Sequence, residues 1–470
     1  MEQVLLSVRT LKFEMWQAVL AGLIAFLGLM LFGALVDRGA RVENADIVSR
    51  SANNFARVPA LSRDVFAELL SGNAAGKAWL QRFEGQSGFA FHEAYEANGE
   101  LLILARFDPA RNRGVVEIVD LDTGDVLHDY TADVQELKRR TRLQHRDAGE
   151  RRDGSLDISI IYRADEYMPR HPIIESDGSI IFGDFHTPLV KLDACSGIEW
   201  TMYGAYHHAI ERDADGHYWT ALREVPLVNE HAFEGFHEDT LTRFSSDGEI
   251  LFEKSLTEIL LENDLAFMVY PFMPYNDDPY HLNDIQPAMS DGPYWNKGDV
   301  FLSLRNQSMI ILYRPSTNKV LWYKRGPWMS QHDVDIVSDN QISVFSNNAG
   351  GGNHADAEWQ FDYFVVGTNE TLVYDFETDR VSSPYKAGYE ALDIRTPIEG
   401  LNEILPNGDV WIEETRYGRI VVLDSSGEPK WSYVNRGTDG DVYGLNWSRP
   451  VTGAEARMIR ERIEQGFDCI

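Results

Sequence analysis

Turn signals recur along this chain at a regular spacing, each followed by a strand-like run. Asp177-Gly178 precedes SIIFGDF, Asp215-Gly216 precedes HYWTAL, Asp247-Gly248 precedes EILFEKS and Asn407-Gly408 precedes DVWIEE. Asp-Gly and Asn-Gly pairs favour tight hairpins because both central residues tolerate positive φ. A second turn follows in several units, at Asp122-Thr123-Gly124, Ser196-Gly197, Thr317-Asn318 and Ser426-Gly427. Three of these lead to a tryptophan at a similar offset: Trp200, Trp322 and Trp431. The period is roughly 40–50 residues, the range of propeller blades. Six units start near residues 86, 165, 205, 278, 330 and 395. A pair of β-sandwiches fits less well, because sandwich strands do not repeat in blocks of four. The expected fold class is therefore all-β, a six-bladed β-propeller over residues 86–450, with the tryptophans packed between blades.

Two insertions interrupt the ring. Residues 131–164 are highly charged and read as a helix plus an exposed loop. Residues 255–280 run from SLTEILLEND to the aromatic, Pro-rich YPFMPYNDDPY. They roof a central site or form a surface loop packed by its own aromatics. The stretch 453–465 reads as an amphipathic helix within a C-terminal tail, 451–470.

The N-terminal part differs in kind. From Met15 to Val36 the chain carries no charge. That length suffices to cross a hydrocarbon core of about 30 Å as a helix. A cleaved signal peptide usually has a shorter apolar region and a small-residue cleavage site, whereas Val36-Asp37-Arg38 follows here. The expectation is an uncleaved transmembrane signal anchor at 15–36, with residues 1–14 as a cytoplasmic tail. A neck at 37–85 includes a short helix around VFAELL. Arg9 and Lys12 before the span are balanced by Arg38 and Arg41 after it, so charge alone leaves the orientation open.

The 470 residues carry 43 basic and 74 acidic side chains, a net charge of −31. Such a surface repels a phosphate backbone and argues against a nucleic-acid partner. Cys195 and Cys469 are the only cysteines. They lack metal-type spacing, and sequence leaves their pairing open.

Four short stretches carry the chemistry. They are Tyr206-His207-His208-Ala209-Ile210, His281-Leu282-Asn283-Asp284-Ile285, Ser303-Leu304-Arg305-Asn306-Gln307-Ser308 and Gln331-His332-Asp333-Val334-Asp335. Each lies in a different part of the repeat, so a closed ring brings them to its axis. Each histidine taken singly reads more readily as a hydrogen-bonded structural group. On a regular strand His207 and His208 point to opposite faces. Arg305 falls on an apolar strand and needs a partner there, an acidic side chain or an anionic ligand. Asp213-Ala214-Asp215-Gly216 and Asn276-Asp277-Asp278 read as turns before they read as calcium ligands.

Taken in order, these stretches resemble the bacterial arylsulfate sulfotransferase family, which does without the adenylated sulfate donor. Family members carry a His-His element, then His-x-Asn, then an arginine in a Ser-Arg-x-x-Ser-like strand, then Gln-His leading to Phe-x-Asn. Here the matches are His207-His208, His281-Leu282-Asn283, Leu304 to Ser308, and Gln331-His332 with Phe345-Ser346-Asn347. The resemblance covers residues 165 to 435. It departs at Leu304 and Asp284, where serines are common, at Ala209, where an acidic residue is expected, and in the anchor.

The resemblance implies transfer of a sulfuryl group from an aryl sulfate to a phenolic acceptor. His332 is the implied nucleophile, forming a sulfohistidine. Arg305 offers a fixed fork of donors to the sulfuryl oxygens. His281 and one of His207 or His208 serve as acid, base and oxygen donors, and Asn283 binds substrate. No metal and no cofactor are expected. The implied location is the bacterial inner membrane, single-pass, with the propeller in the periplasm. Protein partners or a homo-oligomer stay open. The alternative function is a non-catalytic, membrane-anchored scaffold for partner proteins, and a quinone- or metal-dependent dehydrogenase is a further rival.

Overall fold

The computed structural model describes residues 28–35, 48, 76–92, 95, 98–148, 166–224, 236–270, 278–351 and 363–467. The chain forms two compact units, residues 1–74 and 75–470. In the first unit residues 28–35 are helical. The rest of the 15–36 run and the VFAELL helix of the neck lie outside the described residues. Among the described residues, no helix is long and apolar enough to cross a membrane.

The second unit is built of antiparallel sheets in a propeller-like arrangement. Four of them have four or five strands, and one has seven. The expectation of six separate blades is corrected here, since four sheets stand as discrete blades. The reason is Ile198–Arg212, a strand of 15 residues. It pairs with Thr187–Leu192 on one side and Tyr218–Glu224 on the other. Its length lets one strand serve both neighbours, so the hydrogen bonding never breaks between them.

The central strand of the seven-stranded sheet, Ile198–Arg212, packs against the edge strand Arg170–Ile174 of the same sheet and against the edge strand Leu282–Pro287 of the next, which is followed by the edge strands Asp333–Ser338 and Leu401–Ile404. Apolar clusters fill the spaces between sheets. One joins Trp219 and Leu241 to Leu282 and Ile311. Another joins Phe301 and Leu312 to Val344 and Tyr374. Trp431 is buried in the cluster that joins the last sheet to the first, from Trp411 to Leu102 and Val119. Trp322 and Trp200 pack against the clusters beside them. Trp431 and Trp322 thus lie between sheets, whereas Trp200 packs within the seven-stranded sheet.

Chain ends close the ring. Arg449–Val451 pairs with the strand Leu101–Asp108 of the first sheet, and Gly88–Phe91 pairs with Pro429–Val434 of the last. Each of these sheets is completed by a strand from the far end of the chain. The helix Gly453–Glu464 then buries Ala456 and Ile459. The described part of the second insertion holds the helix Leu256–Glu262, whose buried side chains join an inter-sheet cluster. Residues 271–277 lie outside the described residues. Cys195 is disulfide-bonded.

Candidate active site

His281 and His332 stand just before the edge strands Leu282–Pro287 and Asp333–Ser338, and the His207-His208 pair lies within Ile198–Arg212 beside them. His207 and His208 do not alternate across the sheet as a regular strand would have them. The register shifts between His207 and Ile210, and His208 is left-handed at φ +60°. This bulge turns both rings to one side, with the two Nδ1 atoms 2.7 Å apart. Bulges commonly re-aim side chains in this way. The His208 ring lies 5.0 Å from His281 and 6.4 Å from His332. The His207 ring also lies 5.4 Å from His186, and its Nε2 lies 3.3 Å from Asp239 Oδ1.

His332 is buried at 1% exposure, and both ring nitrogens are occupied. The main-chain N–H of Glu399 donates to Nε2 over 3.0 Å. Nε2 therefore carries the lone pair, and Nδ1 carries the proton that it donates to Asn347 Oδ1 over 2.7 Å. Asn347 in turn donates to the carbonyls of Thr396 and Glu399, at 3.0 and 2.7 Å. One amide thus fixes both the imidazole tautomer and the loop that faces it.

His281 precedes the strand Leu282–Pro287 at φ +54°, and its Nδ1 bonds Asp278. Asn283 is buried and donates to the Gln331 carbonyl over 3.0 Å, which ties it to the main chain beside His332. Its Oδ1 has no hydrogen-bond partner among the described residues. Arg305 is placed differently from expectation. It starts a 3-10 turn, Arg305–Gln307, after the strand Val300–Leu304 has ended. The turn frees the side chain from the apolar strand face and lets it line an open cleft with Asn306, Ser330, Gly350 and Tyr363. Its guanidinium donates to Asn306 Oδ1 over 2.9 Å and lies 5.6 Å from the Tyr363 ring.

Burial governs the charges. It holds His332 well below the ordinary imidazole range, aided by the Arg305 charge. His208 is lowered by burial and by His207. Burial and the His281 charge bring His207 down to about 3. These three rings are neutral near pH 7. Burial works against charge on Asp278 too, but His281 and His237 outweigh it and hold that carboxylate far below its ordinary range. Asp239 is pushed upward by burial and by the Asp278 charge.

Several residues here escaped the sequence reading. Arg170, His186, Asp239, Glu399 and Trp447 all border the cluster, and Asp278 had been read only as part of a turn. A shared signal exists in the backbone. His171, His281, Glu399 and Trp447 each adopt positive φ in or just before an edge strand, and His208 does so at the bulge of Ile198–Arg212. Left-handed non-glycine residues are uncommon and concentrate at functional sites.

For metals, one cluster of three possible ligands occurs among the described residues: Asp213, Asp215 and His217. Arg243 pairs with both aspartates, and Lys297 with Asp215. Asp213 also accepts the main-chain N–H groups of Asp215 and His217, which is turn chemistry.

Residues 189–436 match the family model described as arylsulfotransferase (ASST). The chain belongs to the arylsulfotransferase family. Membership supports arylsulfotransferase-type activity in general and implies small-molecule phenolic substrates. No curated protein matches the chain. Among solved structures, a protein of unknown function from Bacteroides caccae is 11% identical with a TM-score of 0.43, covering 75% of this chain and 99% of that one. Virginiamycin B lyase from Staphylococcus aureus is 12% identical with a TM-score of 0.32, covering 61% and 82%. Apo AztD from Citrobacter koseri is 11% identical with a TM-score of 0.32, covering 75% and 98%. At these levels they say nothing of this chain's chemistry.

Proposed function

We propose that this arylsulfotransferase moves a sulfuryl group from an aryl sulfate to a phenol through a sulfohistidine on His332. The observation that carries the reading is the tautomer of His332. A neutral, buried imidazole holds its Nε2 lone pair toward the loop at Glu399, while Asn347 takes the opposite proton.

The steps follow from these groups. The donor's sulfuryl group displaces the Glu399 amide from Nε2. The Nε2–S bond forms as the bond between sulfur and the aryl oxygen breaks, and the electron pair leaves on that oxygen. Splitting one displacement into two is the gain of a covalent intermediate. Positive charge that develops on the ring is met by Asn347 Oδ1. Arg305 binds sulfuryl oxygens from the cleft side. His281, backed by Asp278, hands a proton to the departing phenolate and takes one from the incoming phenol. With its proton on Nε2, 3.3 Å from Asp239 Oδ1, His207 accepts at Nδ1 from His208 Nδ1–H.

The finer architecture belongs to the same reading. The seven-stranded sheet acts as two blades sharing Ile198–Arg212, which brings the ring to six. The 15–36 run anchors the protein in the inner membrane, with the propeller in the periplasm.

The test is transfer from a chromogenic aryl sulfate to a phenol, with mass spectrometry after brief exposure to donor alone. An acid-labile sulfuryl adduct on His332 and ping-pong kinetics are expected. His332→Ala should lose on the order of a thousandfold or more in both half-reactions. Active enzyme with no adduct on His332, and His332→Ala still turning over, overturns the assignment.

A further inference from the structure

Arg170 is the most deeply buried cation at the site, at 3% exposure. Its Nη2 lies 3.1 Å from Glu399 Oε1, yet Nε and Nη1 are buried without a hydrogen-bond partner among the described residues. Buried guanidinium donors are rarely left unmet. The side chain is wedged between two rings, 5.8 Å from Phe185 and 5.6 Å from Trp447. Those rings also flank the histidines. Phe185 is 5.1 Å and Trp447 5.8 Å from His208, and Trp447 is 6.5 Å from His332. Arg170 therefore shares the walls of the histidine cluster, whereas Arg305 stands at the open cleft.

Glu399 occupies two places at once. Its carboxylate sits on Arg170, and its main-chain N–H sits on the lone pair of His332 Nε2. A sulfuryl group about to be transferred needs both. Arg416 Nη2 also donates to Glu399 Oε1 over 2.8 Å, so the carboxylate keeps a partner if it leaves Arg170. Glu399 is left-handed at φ +58° and Gly400 follows at φ +95°, a backbone suited to rearrangement.

We propose that Arg170 is a second anion-binding arginine of this site, which takes the sulfuryl oxygens in exchange for the Glu399 carboxylate. The inference rests on the sulfuryl-transfer reading and names the residue that binds the donor from within. Exchange of one oxyanion for another on Arg170 also draws the Glu399 amide off His332, so binding of the donor frees the nucleophile. Arg170 and Glu399 then oppose each other: one binds the anion, the other competes with it.

The test uses inorganic sulfate as probe, titrated calorimetrically into the full chain at constant ionic strength with chloride as balance. Arg170→Gln should weaken sulfate binding about tenfold or more. Glu399→Gln should strengthen it by a few-fold, because a neutral amide competes poorly for a guanidinium. A purely structural ion pair gives the opposite sign, since loss of either partner loosens the site and weakens binding. Sulfate binding by Arg170→Gln equal to that of the unaltered protein overturns the proposal. So does weakened binding by Glu399→Gln, which decides the matter even if Arg170→Gln fails to fold. Absence of sulfate binding in the unaltered protein also overturns it. Transfer from an aryl sulfate, measured in parallel, separates the two readings. Binding that follows this pattern without transfer ends the transfer reading, and transfer with binding indifferent to Arg170 ends only this inference.

Discussion

Asp278 bonds the Nδ1 of His281, which leaves Nε2 of that ring for the cluster around His208. Because His281 and His237 hold the Asp278 carboxylate ionised, the pair can stabilise an imidazolium on His281 when it is needed. Asp278 is therefore a positioning residue rather than one that meets substrate. Asp278→Asn keeps a hydrogen-bond acceptor and removes the charge. We expect turnover to fall about a hundredfold, within the range of lost acid–base assistance. The fall should be steeper for aryl sulfates with poor leaving groups than for nitrophenyl sulfates, which leave without a proton. Rates measured across a leaving-group series check this. An equal loss along the series means that His281 does not supply the proton.

At the scale of elements, the site is made by the residues that lead into the edge strands. Their left-handed backbones swing side chains toward the axis instead of into the sheets. Gly400 shows what the loop at Glu399 demands. At φ +95° an added Cβ meets Phe345 Cε1 at 2.6 Å and Thr396 Cγ2 at 2.8 Å. Phe345 is fully buried and cannot yield easily. Gly440, at φ +91°, has nothing within 4 Å of the same added atom. Gly400→Ala should combine backbone strain with overpacking and cost about 2–4 kcal/mol, whereas Gly440→Ala carries the backbone strain alone, about 1 kcal/mol. Because Glu399 would shift, the first change should also reduce transfer, and the second should leave it intact. Urea denaturation and transfer rates on both variants measure this. Equal destabilisation would show that the contact with Phe345 is unimportant.

The whole molecule carries an unusual load of buried acid. Glu211 comes from Ile198–Arg212 and Asp284, Asp333, Asp335 and Glu403 from the edge strands packed in succession beside it, and Arg449 pairs with Glu211 at 3.0 Å. Burial raises Glu403 to about 7, and Arg449 opposes this. Burial and neighbouring charges push Asp284 and Asp335 upward as well. A carboxyl raised on folding contributes stability that is fully present below its unfolded value near 4 and lost as pH rises through the folded value. The buried histidines work in the other direction. Held neutral, they stabilise above about pH 6.5, and that contribution fades as pH falls below it. Only the acids act above pH 6.5. The midpoint of thermal unfolding should therefore rise as pH is lowered from 8.5 to 6.5, then level off or decline. Glu403→Gln should flatten the upper limb. Melting curves across this range, with and without the substitution, check both statements. A midpoint indifferent to pH above 6.5 contradicts them.

What the sequence determined by itself is local or ordered along the chain. Hairpin turns such as Asp177-Gly178 and the Trp offsets depend on neighbouring residues, so the β repeat and the propeller-like arrangement were legible. The order His207-His208, His281-Leu282-Asn283, Arg305, Gln331-His332 sufficed to point to the arylsulfotransferase family. The tertiary structure decided everything that depends on residues far apart or on unusual backbone. Ile198–Arg212 fuses what the repeat presented as separate blades, because strand length is set by partners on both sides. His207 and His208 share a side because one residue is left-handed, which no alternation rule foresees. Arg305 left its strand for a turn. Arg170 and Glu399 stand 229 residues apart. Their meeting beside His332 exists only because Arg449–Val451 returns to the first sheet and closes the ring.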